Sequence, residues 1–365
     1  MKKVLIIGPL PNPISGVSLS NKIVCEILKK SKYFEVETIN TSYPLFEDKI
    51  GSFTIKKLLF YLVLNFKCIR VLKSEIVYIT PGQTFFGVLK YFVFITLASI
   101  SNKELIIHVH GNHLGKEYKQ LLGLKKKIFF FLMSKFNKGI VLSPSLKTNL
   151  SPFLKEENIF IVYNFAEEFI YQEQKTIEAN CLKIIYLSNL MEEKGILYLL
   201  DALKKLERLG IAYEAKIAGN IDDTLKTIIE NKIRNLKNTT YIGVVKGNAK
   251  KELLNWSNIF VLPTFYKMEG QPISILEALA TQNVIITTNH AGISDIITDN
   301  VNGFIVKTKS ADRILEKFVF LDNNKEEITN ICVSNKEYFL KNYTIEKFSN
   351  SIKKVFNANP EFREI

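Results

Sequence analysis

The sequence predicts an α/β chain built from two doubly wound, parallel-sheet domains. Two observations predict this. Short apolar, β-branched runs alternate with helix-period stretches from one end to the other, the pattern of stacked βαβ units. The alternation is interrupted by a polar, acidic stretch without clear period, Glu167 to Asn180, in a chain of 365 residues that is long for one core and comfortable for two.

In the first half the expected strands are Val4–Ile7, Val36–Ile39, Ile76–Thr80, Leu105–Val109, Gly139–Leu142 and Ile159–Val162. Helices fit between them, among them Leu19–Lys30, Thr54–Leu72 and Lys116–Phe136. Glu167 to Asn180 then reads as a linker. Beyond it a second series follows: Lys183–Leu187, Glu214–Ile217, Thr240–Ile242, Ile259–Leu262, Val284–Thr287 and Phe304–Val306, again with helices between. Tyr338 to Phe356 reads as a terminal helix. Two successive doubly wound halves imply a ligand cleft between them.

Composition narrows the function classes. Apolar residues make up 47% and charged residues 23%, which excludes a disordered chain. Cys25, Cys68, Cys181 and Cys332 are scattered without metal-ligand or redox spacing and fit thiols in a reducing cytosol. The start imitates a signal peptide, but its apolar run stops at Gly8-Pro9, as in a buried first strand. No stretch has the length and apolarity of a membrane-spanning helix.

The net charge of +13 is uneven: residues 1–165 hold 23 Lys+Arg against 10 Asp+Glu, whereas 166–365 hold 26 of each. In the first half the lysines are mixed with bulky apolar residues, as in Leu124-Lys125-Lys126-Lys127-Ile128-Phe129-Phe130-Phe131. Basic amphipathic helices of this kind suit an anionic membrane surface. They are too apolar for a phosphate-tracking face, so nucleic acid is not an expected partner. The plainer reading is core helices with solvated lysines.

The chemistry-bearing run is Met268 to Ala280. The strand Asn258–Leu262 leads into a Gly/Pro turn carrying Glu269, and Pro272 is expected at the first position of a helix carrying Glu277. Both carboxylates then lie at the C-terminal edge of a parallel sheet, where open α/β folds bind ligands and where a carboxylate can accept from sugar or ribose hydroxyls. Glu269 to Ala280 resembles the E-x7-E signature of retaining GT-B glycosyltransferases, family 4 (glycosyl transferases group 1). Ser188 to Gly195 is similar to the family's Gly-Arg-Leu…Glu-Lys-Gly segment, with Asn189 where the family usually has Arg. Lys194 there stands before a helix N-terminus, a place that already favours an anion.

His110-Gly111 matches the family's His-Gly element. His108 and His110 share one face of a strand; a His-x-His pair can bind zinc, but no third or fourth ligand is evident. The first loop, Gly8 to Ser18, lacks a dinucleotide fingerprint and resembles the family's Pro-rich first loop, with Ser15-Gly16 for Gly-Gly. Val162 to Asn164 and Ala291 to Phe304 match further family segments.

The resemblance implies a GT-B fold: two Rossmann-like domains facing across a cleft, with residues 1–165 binding the acceptor, 166–342 the donor, and a helix in 343–365 crossing back to the first domain. It implies transfer of a sugar, with retention, from a UDP- or GDP-linked donor. Lys194 would hold the diphosphate, Glu277 the ribose, and Glu269 and His110 the sugar. Gly270, Gln271, Pro272, Ile273, Asn189 and Gly16 complete the expected donor site. No Asp-x-Asp metal site is evident, so no metal or cofactor is expected. The basic first half points to a lipid-linked saccharide acceptor at the inner face of the cytoplasmic membrane, as in bacterial surface polysaccharide assembly. A nucleotide-sugar epimerase, a phosphorylase and a non-catalytic protein of the same fold are the alternatives.

Overall fold

The computed structural model describes residues 1–43, 55–173 and 175–357. It divides into two compact units. One comprises Met1–Tyr163 and the chain from Phe348 onward; the other is Asn164–Lys347.

All twelve expected strand runs form strands. The first unit holds β1 (Lys2–Gly8), β2 (Phe34–Asn40), β3 (Ile76–Ile79), β4 (Glu104–Val109), β5 (Lys138–Val141) and β6 (Ile159–Ile161). The second holds β7 (Leu182–Leu187), β8 (Tyr213–Ala218), β9 (Thr239–Gly243), β10 (Ile259–Leu262), β11 (Val284–Thr288) and β12 (Gly303–Val306). Every pairing is parallel. Central strands are buried on both faces, as helices on either side require; β3 and β10 are buried throughout.

The sheet orders are β2-β1-β3-β4-β5-β6 and β12-β11-β10-β7-β8-β9. The first sheet starts one strand in from its edge and the second near its middle, and each winds outward both ways. In the first the direction reverses at β1/β3, in the second at β7/β10. Right-handed crossovers then place the helix Gly16–Lys30 on one face of the first sheet. The crossovers before β3, β4 and β5 run the other way and lie on the opposite face.

Several expected helices are broken. Lys116–Phe136 is two helices, Leu114–Gln120 and Gly123–Met133, because Leu121 and Leu122 both take extended backbone. In the run Thr54–Leu72, Thr54 lies outside the described residues, and the rest is Ile55–Asn65, one 3-10 turn and Ile69–Leu72. The terminal helix is likewise split, into Lys325–Asn342 and Ile345–Asn357. From Phe348 the last helix belongs to the first unit: Phe356 packs edge-on against Phe34 at 5.9 Å, and Lys138 Nζ donates to the Val355 carbonyl at 2.9 Å.

The stretch read as a linker is docked on the second unit instead. Ile170 is fully buried. Lys175 Nζ donates to the Ser257 carbonyl, at the end of the helix Gly247–Trp256, and to the carbonyls of Thr281 and Gln282, where the helix Ile273–Ala280 ends. Burial lowers the Lys175 ammonium to about 8.

Candidate active site

The second sheet reverses direction between β7 and β10, so the loops leaving these two strands diverge and leave a crevice at the sheet's C-terminal edge. The β7 loop carries Asn189 and Lys194; the β10 loop carries Glu269, Gly270 and Gln271. The two loops are tied together by backbone: Phe265 N donates to Glu193 O at 2.7 Å. Gly195 makes this approach possible. Its φ is +82°, and a Cβ there would lie 2.4 Å from the Pro263 carbonyl oxygen.

Lys194 closes a 3-10 turn, Glu192–Lys194, just before the helix Ile196–Arg208. Its Nζ donates to Glu269 Oε2 at 2.6 Å, and both side chains are largely buried. The ammonium also stands 5.1 Å over the Tyr266 ring. Thr264 Oγ1 lies 3.1 Å from the same carboxylate oxygen. Beneath the loop, the fully buried Tyr186 hydroxyl donates to Asn189 O at 3.0 Å. The expected partners Lys194 and Glu269 are thus brought together. The Asn189 side chain is exposed.

Glu277 sits inside the helix Ile273–Ala280 and is only 3% exposed. Pro272 is the N-cap of that helix and Ile273 its first residue, a shift of one from the expected start. Burial raises the Glu277 carboxyl above its ordinary value, and an ion pair with Lys250 opposes that shift. Lys250 stands on the helix Gly247–Trp256. The sequence reading missed it, since the pairing spans 27 residues and joins separate helices without a shared period.

Gly270 and Gln271 are buried and serve as anchors. Gly270 O accepts from Gly292 N at 2.9 Å. Gln271 Oε1 accepts from Asn164 N at 2.6 Å, and its carbonyl accepts from Asn164 Nδ2 at 2.9 Å. Gln271 Nε2 is buried without a hydrogen-bond partner.

His110 and Gly16 belong to the first unit. His110 directly follows β4 and stacks on His108 with ring centroids 3.9 Å apart. Burial lowers His110 to about 3, so the ring is neutral at physiological pH. His108 is fully buried, and its Nδ1 is hydrogen-bonded to the Tyr78 hydroxyl at 2.5 Å. Among the described residues no group of three or more His, Cys, Asp or Glu could hold a metal ion. Gly16 is the first residue of its helix, behind Ser15, which makes a complete capping box with Ser18.

Residues 168–338 match the family described as glycosyl transferases group 1. An uncharacterized glycosyltransferase of Methanocaldococcus jannaschii is 24% identical over 71% of this chain and 70% of its own. An Escherichia coli protein named putative colanic acid biosynthesis glycosyltransferase WcaL is 27% identical over 38% of this chain, and the match spans only 36% of that relative. The structure of Anabaena HepE in complex with UDP superposes with a TM-score of 0.74 at 14% identity, covering 98% of this chain and all of the other. The stretch 168–338 that matches this family carries Lys194, Lys250, Glu269 and Glu277, and the chain as a whole has the GT-B fold.

Proposed function

We propose that this protein is a retaining glycosyltransferase that moves a sugar from a nucleoside diphosphate donor to a saccharide acceptor, lipid-linked, in surface polysaccharide assembly. The observation that carries the reading is the Lys194–Glu269 pair at the β7/β10 switch point. In the free protein each charge holds the other in place. When a diphosphate arrives, its greater negative charge takes the ammonium and frees Glu269 to accept from sugar hydroxyls. Lys194 at a helix start then offsets the charge that develops on the leaving phosphate. Glu277, kept ionised by Lys250, accepts from the ribose hydroxyls.

The acceptor hydroxyl attacks the anomeric carbon from the side of the departing diphosphate. The bond from that carbon to the phosphate oxygen breaks, and the leaving phosphate takes the hydroxyl's proton. The configuration is retained without a protein nucleophile. His110, neutral, contacts the donor sugar by hydrogen bonding alone. With Asn189 in place of an arginine, Lys194 and backbone N–H groups hold the diphosphate. The biosynthetic setting follows the named polysaccharide relatives.

Incubating the chain with UDP- and GDP-sugars and lipid-linked saccharides tests this. Release of the nucleoside diphosphate together with a glycosylated acceptor is expected, undiminished by EDTA. Loss of turnover in EDTA with rescue by a divalent ion contradicts the metal-free reading. Conversion of the donor alone into another nucleotide sugar identifies an epimerase instead.

A further inference from the structure

A surface helix normally turns its polar side to water. The outer helix layer of the first sheet departs from this. The segments 55–72, 85–100 and 114–133 lie on one face of that sheet. Ile69–Leu72 packs against Phe92–Ile100, and Gly123–Met133 packs against both Phe92–Ile100 and Phe85–Leu89. Among the described residues 26 large apolar side chains are exposed, and 14 of them belong to these three segments. Phe66 is 83% exposed, Leu124 71% and Phe86 65%. The helix Gly16–Lys30 on the opposite face exposes Lys22, Glu26, Lys29 and Lys30 instead, as an ordinary surface helix does.

Charge follows the same face. The three segments hold ten Lys+Arg and a single acid, Glu117. Glu117 is spent inside the fold, accepting from Phe85 N at 2.8 Å and meeting His113 Nε2 at 3.4 Å. Lys67, Arg70, Lys125 and Lys127 stand exposed among the apolar side chains.

We propose that this face docks on an anionic lipid bilayer. Phe66, Ile69, Phe86, Leu124 and Phe131 enter the boundary of the acyl chains, and the lysines around them meet lipid phosphates. The combination selects this occupant. Nucleic acid would satisfy the lysines and leave the inserted phenylalanines and leucines without gain. A second copy of the chain would bring an equally basic face against this one, and like charges would repel. Only a surface both anionic and apolar beneath answers both features. The inference rests on this surface and not on the sugar-transfer reading.

Flotation of the full chain with vesicles is the test, using phosphatidylcholine alone and phosphatidylcholine with roughly 30% phosphatidylglycerol. Binding is expected to the anionic vesicles only, and to weaken as salt rises. Phe66→Ser with Leu124→Ser is expected to reduce binding about 10-fold or more, and Lys125→Glu with Lys127→Glu to abolish it. Lys22→Glu with Lys29→Glu, on the opposite face, leaves it unchanged. The substituted positions are exposed, and circular dichroism melts confirm that each variant folds. UDP or GDP titration into Phe66→Ser/Leu124→Ser separates a failure here from a failure of the donor site. Absence of flotation with anionic vesicles at low salt overturns the proposal. So does equal binding by Phe66→Ser/Leu124→Ser, or light scattering that shows a dimer broken by that variant.

Discussion

Glu277 is a carboxylate that the fold buries and then has to keep charged. Desolvation pushes its pKa up, and Lys250 is the main force pulling it back. Lys250→Met removes that partner without removing the side chain's bulk, and leaves an acid nearly sealed from water. About 3 kcal/mol of stability should be lost at neutral pH. The sign of the pH effect follows from linkage. A carboxyl whose folded pKa lies above its unfolded value binds the proton more readily when folded. Its penalty is therefore full above the folded pKa and disappears below the unfolded one. Urea melts of Lys250→Met should show the loss at neutral pH and a shrinking loss toward pH about 4. An equal loss at both would mean that Lys250 acts through packing. Glu269 and Glu277 were legible because they share one run with Gly, Pro and an apolar helix. Lys250 and Tyr186 were not, because only the fold brings them to the site.

At the scale of elements, the strands were legible and the helix breaks were not. A parallel strand between helix layers is apolar on both faces, so runs such as Ile259–Leu262 announce themselves. The break at Leu121–Leu122 falls inside an apolar helical pattern, with no Pro at the joint. The misread linker has a clearer cause. Its anchor is a single lysine whose partners are backbone carbonyls more than 80 residues away, which leave no mark in the sequence. That lysine caps the C-terminal end of the helix carrying Glu277, where a cation also suits the helix dipole. Lys175→Met should strip those carbonyls of their donor and cost about 2 kcal/mol, lowering the thermal midpoint of the second unit. An unchanged midpoint would show that the segment is held by Ile170 and its apolar neighbours alone.

For the whole molecule, charge and chemistry separate by unit. The excess positive charge lies within residues 1–165, with the exposed apolar helices, whereas the paired lysines and carboxylates of the switch point lie in a half with no net charge. The diphosphate site proposed for the second unit would therefore work through local ion pairs rather than a broad positive field, and its affinity should depend strongly on one residue. Calorimetric titration of UDP, GDP and NAD into the native chain and into Lys194→Ala tests this most directly. UDP or GDP is expected to bind, NAD is not, and Lys194→Ala is expected to weaken nucleotide binding roughly 10-fold or more. Absence of binding by both nucleoside diphosphates, or equal binding by Lys194→Ala, would contradict the proposed site.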